Sequence, residues 1–442
     1  MKILRHHWWL LAAFFIVAPG HARTFEARPA VVDGEEEFEI LANQLQPGDE
    51  LILHGGTYSQ SGRRAVHVKG TREQPILIRA AAGETPILTR PAPDRDRQNN
   101  IEFVDCEHLL VRGLRFQGGS SGVRFIGGRF VTFEECEILE TGNNALTMNS
   151  GDCHAFVIRR NHIHHTGLST AHPTEGEGMY IGCHNGSCRT TDSLIEGNYI
   201  HHLRGTSDGG NDGIEIKFGS YGNVVRDNVI HDTNIERQYP GIFVYGGGAG
   251  TNLVEGNVVW NAGEGIQVVS DAIVRNNIIF HCSATGITAA PHAAVRHLRN
   301  TIIVNNTIFN APVGVRIRWS NATNMVFANN AIYCSGSTAL DAGGFSSARL
   351  RQNYVQGRLT GIALDNDRVC DGGVPASAFV DPQQLDFRPG PSSPLQGRAE
   401  PAWAPDRDFD GLQRHPPCNV GAYEPDERPQ HPGWRIQPGF KN

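Results

Sequence analysis

Residues 223–231, NVVRDNVIH in one-letter code, contain the repeat on which the fold prediction rests. The repeat reads apolar-apolar-x-x-Asn-x-apolar, and its asparagines recur at intervals of 37, 30, 29, 20, 29 and 24 residues, at Asn161, Asn198, Asn228, Asn257, Asn277, Asn306 and Asn330. A second pattern, Gly-apolar-x-apolar-x, alternates with the first and begins at Gly122, Gly178, Gly213, Gly241, Gly265, Gly286 and Gly314, with a related copy at Ala145.

Both patterns predict short strands stacked in a solenoid. Apolar residues alternate with other residues over about five positions, which is typical of a half-buried strand. A unit of roughly 20–30 residues with two or three such strands is one coil of a β-solenoid. An asparagine at a repeated turn can bond its own backbone and the asparagine of the next coil. We therefore predict an all-β fold, a right-handed single-stranded parallel β-helix, over a β-sandwich or a propeller.

The repeat also changes the expected domain organisation. A length of 442 residues suggests two or three domains at roughly 100–200 residues each. The repeat instead predicts one elongated solenoid, with N-terminal capping coils in residues 23–90 and the β-helix core in residues 91–345. Residues 346–442 are expected to form a final coil and an extended tail, because the open ends of a solenoid must be covered.

The first 22 residues are predicted to be a signal peptide. Lys2 and Arg5 precede an apolar run at 8–18, and Gly20 and Ala22 provide small side chains at the −3 and −1 positions of a cleavage site. This pattern is typical of secretion, so we expect a periplasmic or secreted protein without an integral membrane span after cleavage; an uncleaved anchor is the alternative. Export permits disulfides among the nine cysteines. The candidate pairs, whose connectivity stays open, are Cys183 with Cys188 and Cys370 with Cys418.

Charge argues against one class of partner. The net charge is −7 and the isoelectric point is near 6.3. Because phosphate neutralisation needs clustered lysine and arginine, nucleic acid is not expected as a partner. We expect the protein to be a monomer.

Stacking of the coils converts sequence positions into columns of neighbouring side chains. Adjacent coils lie about 4.8 Å apart, so aligning the second pattern brings Glu177, Asp212 and Glu215 together on one face. Carboxylate oxygens are the ligands that Ca²⁺ prefers. These three residues are therefore candidate metal ligands, although a solvated face with ordinary charge pairs would give the same pattern.

Further side chains in these coils suit chemistry on a polysaccharide. Lys217 and Tyr245 share the face of the carboxylates and are candidate catalytic residues. Tyr180 and Phe243 are expected to be exposed aromatics that stack on sugar rings. Arg237 is a candidate substrate-binding residue in an insertion, and long insertions beside a regular face suit the walls of a substrate groove. These insertions cover residues 166–177, 183–192, 203–211 and 233–240.

A histidine-rich column follows the asparagine pattern. It contains His164, His201 and His231 and continues into Trp260, Phe280, Phe309 and Tyr333; beside it lie His165, His202, Asp232, Asn261 and His281. Stacked histidines could bind a metal or supply a proton donor, whereas the aromatic continuation favours a packing column. His231 is kept as a candidate catalytic residue because it follows the coil of Lys217.

The segment Asp212-Gly-Ile-Glu-Ile-Lys217, followed by residues 223–228, resembles β-helical polysaccharide lyases. The likeness is to the chondroitinase B and alginate lyase group, and pectate lyases with an Asp-Gly-x-x-x-Lys segment are a second match. The resemblance implies that Asp212 binds calcium and that Lys217 is the catalytic base. One coil later the group has an arginine where this chain has Tyr245.

The sequence thus predicts Ca²⁺-assisted β-elimination on an acidic, uronate-containing polysaccharide or oligosaccharide. Removing the proton from C5 requires neutralisation of the adjacent carboxylate, which Ca²⁺ can supply. A nearby cation would disfavour the ammonium form of Lys217 and make it a base. Tyr245 would protonate the leaving oxygen. The alternatives are a uronate C5-epimerase, a glycoside hydrolase on the same scaffold, and a non-catalytic glycan-binding protein.

Overall fold

A computed structural model describes residues 22–32, 35–91, 96–233, 239–295, 297–345, 348–424 and 434–441. The chain forms a right-handed parallel β-helix, as predicted. Three parallel sheets follow the length of the solenoid, and most coils contribute one strand to each sheet. We name them sheet 1, sheet 2 and sheet 3 in the order in which a coil visits them.

Sheet 1 contains 13 strands in the described ranges. They are Thr24–Ala27, Glu50–Leu53, Ile76–Ala80, Leu109–Arg112, Thr132–Glu134, Val157–Arg159, Leu194–Glu196, Val224–Arg226, Asn252–Glu255, Ala272–Arg275, Arg299–Val304, Thr323–Ala328 and Arg349–Arg351. Alternate residues along most of these strands point inward, which gives the period-2 burial that the sequence predicted.

Sheet 2 and sheet 3 are joined at their C-terminal end by two long strands, Ala331–Gly343 and Asn353–Thr360. Sheet 2 also contains Gly56–Ser59, Pro86–Thr89, Arg115–Gln117, Glu137–Leu139, His162–His164, Tyr199–His201, Val229–His231, Val258–Trp260, Ile278–Phe280, Thr307–Phe309 and Val369–Asp371. Sheet 3 also contains Ala65–Val66, Ile101–Val104, Val123–Ile126, Leu146–Met148, Met179–Ile181, Ile214–Ile216, Pro240–Val244, Glu264–Val268, Thr285–Ala289 and Val313–Arg318.

Smaller elements decorate the solenoid. A separate parallel sheet consists of three short strands, Gly128–Arg129, Cys153–His154 and Thr190–Thr191. Two antiparallel pairs lie nearer the ends of the chain, Val31–Val32 with Glu35–Glu36 and Phe379–Asp381 with Asp386–Pro389. The helices are short: Glu37–Ala42, Pro375–Ala378 and the 3₁₀ turns Pro382–Gln384 and Pro401–Trp403. Within the described ranges, none of the helices has the length and apolar character that a membrane span would need.

The asparagine column forms a continuous hydrogen-bonded ladder. Each side-chain Nδ2 donates to the Oδ1 of the asparagine in the next coil at 2.9–3.0 Å, from Asn161 through to Asn353. The ladder asparagines are fully buried. This confirms the predicted ladder and extends it by one coil, to Asn353.

The corners on either side of sheet 2 have a recurring backbone conformation. The residue before each ladder asparagine has a positive φ, between 48° and 65°, at Arg160, Gly197, Asp227, Gly256, Asn276, Asn305, Asn329 and Gln352. The residue after many sheet 2 strands also has a positive φ, at His165, His202, Asp232, Asn261, His281 and Asn310. Asparagine, aspartate and histidine are enriched in this conformation, which explains the second histidine-rich column as a row of corner residues.

One of the two candidate cysteine pairs is bonded. Cys183 and Cys188 form a disulfide, whereas Cys370 and Cys418 are free thiols. The predicted signal peptide, residues 1–22, lies outside the described residues except for its last position.

A candidate carboxylate-lysine site on sheet 3

The strand register of sheet 3 agrees with the columns predicted from the sequence. Tyr180 pairs with Glu215 on the next coil, and Glu215 pairs with Phe243 on the one after it. Glu177 and Asp212 each lie one residue before the glycine that begins the second pattern, on neighbouring coils. The structure therefore brings the three predicted metal ligands together.

The three carboxylates form a compact, buried cluster. Glu177, Asp212 and Glu215 each offer a ligand oxygen, and these oxygens lie within 4.8 Å of one another. Each residue is only 2% exposed. Asn144, which precedes Ala145 in the same column as Glu177, donates its side-chain N–H to Oε2 of Glu177 at 3.4 Å. The sequence predictions did not include this contact.

Lys217 directly follows the strand Ile214–Ile216 and lies among these acids. Its ammonium forms an ion pair with Glu215. Nζ lies 4.1 Å from the ring centroid of Tyr180 and 5.3 Å from that of Tyr245. One lysine cannot balance three ionised carboxylates, so the cluster is short of positive charge.

The electrostatics reflect this imbalance. Burial and the neighbouring Glu215 raise the pKa values of Glu177 and Asp212 well above their ordinary values. Burial by itself would lower the pKa of Lys217, but Glu215 and Glu177 outweigh it and raise the value. Without a cation, Lys217 is therefore held as an ammonium ion. The prediction that Lys217 acts as a base concerns the protein with a cation bound nearby. Burial also raises the pKa of Tyr245, which keeps its phenol protonated.

The donor set fits a hard divalent cation. Asp212 Oδ1 and Glu215 Oε2 are buried and have no hydrogen-bond partner among the described residues. Buried polar atoms are normally satisfied, and carboxylate oxygens suit Ca²⁺. Glu177, Asp212 and Glu215 are the residues that would hold it.

The expected exposure of the aromatic candidates is wrong. Tyr180 is 8% exposed and Phe243 is 6% exposed. The ring of Phe243 stacks on Tyr245 with centroids 4.2 Å apart, and His292 packs edge-on against Tyr245 at 4.8 Å. His292 lies in an irregular stretch after Thr285–Ala289, where no repeat could have indicated that it covers the site.

The insertions contain a loop closed by a disulfide and line a cavity, and their role as walls of a substrate groove stays a prediction. The disulfide of Cys183 and Cys188 closes a short loop, and Gly186 in that loop lies against the ring of Phe218. Residues 167–173, together with Arg204 and Thr206, line a cavity of about 520 Å³. Arg237, the third candidate substrate contact, lies outside the described residues.

His231 belongs to a different face of the solenoid. It ends a strand of sheet 2, where its ring stacks between His201 and Trp260 at 5.2 and 4.3 Å. Its Nδ1 contacts Asp232 at 2.6 Å and its Nε2 contacts the hydroxyl of Tyr199 at 3.0 Å. These contacts support the packing interpretation of the column over a catalytic role for His231 beside Lys217.

Comparisons with known proteins agree with this architecture. Residues 190–332 match the family described as the right-handed beta helix region. An alginate lyase from Paenibacillus sp. str. FPU-7 superposes with a TM-score of 0.51 and 18% identity, covering 77% of this chain and 99% of its own. The pectate lyase Pel9A gives 0.53 and 15%, covering 91% and 96%.

The chain shares the fold of β-helical polysaccharide lyases. A further solved structure, XylC in complex with xylose, superposes with a TM-score of 0.61 and 10% identity, covering 90% of this chain and 98% of its own. Among curated proteins, none matches this chain in sequence. At these identities the likeness concerns the fold, so the function depends on the site.

Proposed function

We propose that this chain is a lyase that cleaves a uronate-containing polysaccharide by β-elimination, with Lys217 as the base. The observation that carries the proposal is the cluster of Glu177, Asp212 and Glu215, whose ligand oxygens lie within 4.8 Å of one another beside that lysine. Two of their oxygens are buried without a partner. A buried group of acids that lacks balancing positive charge and lies next to a potential base is typical of a functional site.

The proposed reaction assigns one step to each of two residues. Lys217 Nζ takes the proton from C5 of the uronate, and the freed electron pair forms the C4–C5 double bond. The bond from C4 to the glycosidic oxygen breaks, and Tyr245 gives its proton to that oxygen. The raised pKa of Tyr245 supports this role, because the phenol is protonated at neutral pH.

Calcium is the proposed cofactor, held by Glu177, Asp212 and Glu215. When bound, Ca²⁺ would neutralise the carboxylate of the substrate and so favour loss of the C5 proton. The three acids would then no longer depend on Lys217 for their positive counter-charge. The pKa of Lys217 would fall, since the acids that raise it in the metal-free protein would be neutralised.

The proposed setting is outside the cytoplasm. The pattern in residues 1–22 supports export to the periplasm or the medium, where acidic polysaccharides would be the substrates. Tyr180 and Phe243 remain proposed substrate contacts, and Arg237 a further one. Because both aromatics are buried, their contact with a sugar requires movement of neighbouring side chains, such as His292 beside Phe243.

Substitution of Lys217 tests the assignment of the base. On a polysaccharide that the wild-type chain cleaves, Lys217→Ala should abolish the ultraviolet absorbance of the unsaturated product. Lys69→Ala, which removes an exposed lysine paired with Glu107, is the matched control and should retain activity. Unchanged product formation by a folded Lys217→Ala variant would remove Lys217 from the mechanism.

One observation favours a second function, a glycan-binding protein without catalysis. The carboxylates, Lys217 and both aromatics are almost completely buried, as expected if the cluster only stabilises the solenoid. Binding of polysaccharides without any product would support this alternative. A C5-epimerase would instead invert C5 without cleaving the chain, which nuclear magnetic resonance of the polymer would detect.

A further inference from the structure

A second cluster of metal-binding side chains lies on the outer face of sheet 2, away from the carboxylate-lysine site. Glu137 pairs directly with His162 on the next coil, and His164 is two residues further along the same strand. His164 Nε2 lies 3.1 Å and His162 Nδ1 3.7 Å from the same oxygen, Glu137 Oε1. The three ligand atoms all lie within 4.8 Å of one another.

A second contact orients each of these three side chains. The other ring nitrogen of His162, Nε2, lies 2.8 Å from His201 Nε2. The other ring nitrogen of His164, Nδ1, lies 2.7 Å from His165 Nδ1. The other carboxylate oxygen of Glu137, Oε2, accepts a hydrogen bond from Arg115 Nε at 2.5 Å. Outer partners of this kind fix the ring orientation and tautomer of metal-ligating histidines.

We propose that Glu137, His162 and His164 form a binding site for a divalent transition metal, with Zn²⁺ as the best-suited ion. Imidazole and carboxylate ligands suit Zn²⁺, and two histidines with one glutamate form a known type of zinc donor set. The ligand atoms of a tetrahedral zinc site are about 3.3 Å apart, given bonds of roughly 2.0 Å. The separations of 3.1 and 3.7 Å between Glu137 Oε1 and the two histidine nitrogens are close to this value.

The surroundings leave room for a fourth ligand. The residues that line a cavity of about 290 Å³ include Glu137, His162 and, from the C-terminal segment, Phe440. The ring of Phe440 packs edge-on against His162 with centroids 6.4 Å apart. Three protein ligands with an open position are typical of zinc sites that bind water or a substrate group.

This proposal does not depend on the proposed lyase function. The carboxylate-lysine site provides only hard oxygen donors, whereas this cluster provides two imidazole nitrogens and lies on another sheet. The two sites should therefore select different ions, Ca²⁺ on sheet 3 and Zn²⁺ on sheet 2. Either proposal can fail without the other.

Cobalt provides the spectroscopic test, because Co²⁺ in a tetrahedral nitrogen and oxygen site absorbs visible light and Zn²⁺ displaces it. The full chain, treated with chelator and desalted, is titrated with Co²⁺ and then with Zn²⁺. We expect one Co²⁺ per chain, visible bands, and their loss on addition of Zn²⁺. His164→Gln and His162→Gln should each abolish the bands, and His165→Gln should weaken binding by about 10- to 100-fold through the orientation of His164.

Two variants are matched controls. His281→Gln changes a corner histidine outside the cluster, and Asp212→Asn changes the sheet 3 site; both should keep the bands. Circular dichroism establishes that each variant is folded, and Glu137→Gln replaces any histidine variant that is not. Absence of Co²⁺ binding by the wild-type chain would overturn the proposal. So would bands that persist in both folded histidine variants, since the metal would then lie elsewhere, for example at His202, His231 and Asp232.

Discussion

At the scale of single residues, Glu264 is a half-buried carboxylate with one fully buried oxygen. It begins a strand of sheet 3, two coils after Asp212, and its Oε2 is buried without a hydrogen-bond partner among the described residues. Burial raises the pKa of this carboxyl group. The folded protein therefore holds a proton on Glu264 at pH values where the unfolded chain has released it.

This shift predicts a pH-dependent loss of stability. The stabilising contribution of protonated Glu264 is complete below the unfolded pKa of about 4.3 and is lost as pH rises through the higher folded value. Glu264→Gln cannot ionise, so relative to wild type it should gain about 1–3 kcal/mol of stability between acidic and mildly alkaline pH. Thermal unfolding with chelator at both pH values measures this gain. If wild type and Glu264→Gln lost stability equally with rising pH, ionisation of Glu264 would not be the cause. Glu73→Gln, at an exposed position, is the control.

Residue positions in the carboxylate-lysine site could be predicted, but their exposure could not. Glu177, Asp212, Glu215 and Lys217 meet because the register of sheet 3 follows the repeat in the sequence. His292, which packs against the neighbouring Phe243 and Tyr245, lies in a stretch with no periodicity. A column therefore predicts which side chains are neighbours and leaves open whether another segment covers them.

At the scale of structural elements, the asparagine ladder stabilises every coil from Asn161 to Asn353. Asn257 donates to Val225 O at 2.9 Å and to Asn277 Oδ1 at 3.0 Å, and its own Oδ1 accepts from Asn228. All these groups are buried, so replacing Asn257 leaves several of them without partners.

Asn257→Ala should therefore lower the free energy of unfolding by about 3 kcal/mol or more, because each unsatisfied buried group costs roughly 1–3 kcal/mol. The denaturant concentration at the unfolding midpoint measures the loss. Asn366→Ala, at an exposed position, should have almost no effect. Equal midpoints for the two variants would mean that the ladder contributes little to stability.

The glycines that begin the second pattern recur for a different physical reason from the ladder asparagines. A Cβ atom at Gly213 would lie 2.4 Å from the carbonyl oxygen of Gly241, and one at Gly286 would lie 2.5 Å from that of Gly314. Neighbouring coils approach too closely there for a side chain. Glycine therefore recurs in the sequence because neighbouring coils are in close contact there. This is why the glycine pattern correctly predicted the positions of the strands.

The histidine-rich corner column is a case in which pattern alone was ambiguous. His165 and His202 have positive φ values of 55° and 53°, as do aspartate and asparagine at the equivalent corners. Their recurrence follows from backbone conformation. Only side-chain geometry separates them from His162 and His164, whose nitrogens converge on Glu137.

At the scale of the whole molecule, the end of the chain returns to the middle of the solenoid. The ammonium of Lys441 is buried and donates to Asp227 Oδ1 and Gly256 O, both at 2.8 Å. It also lies 3.4 Å from the ring centroid of Phe409. Such long-range docking carries no periodic signal, so the sequence predicted a trailing tail without its attachment point.

Lys441→Met should release the segment 434–441 from the solenoid while leaving the coils intact. The buried charge makes several hydrogen bonds, and their loss favours local opening. Hydrogen exchange should become at least about tenfold faster in this segment, which corresponds to roughly 1.4 kcal/mol, and stay unchanged in the ladder strands. Lys69→Met, at an exposed lysine, is the control. Unchanged exchange at 434–441 would show that other contacts hold the segment.

A panel of uronate polysaccharides tests whether this chain carries out Ca²⁺-assisted β-elimination. The purified chain is incubated with each polysaccharide in added Ca²⁺ and, in parallel, in chelator, and the ultraviolet absorbance of unsaturated product is followed. We expect product from at least one polysaccharide in Ca²⁺ and its loss in chelator. Binding without product in either condition, across the whole panel, would contradict this expectation.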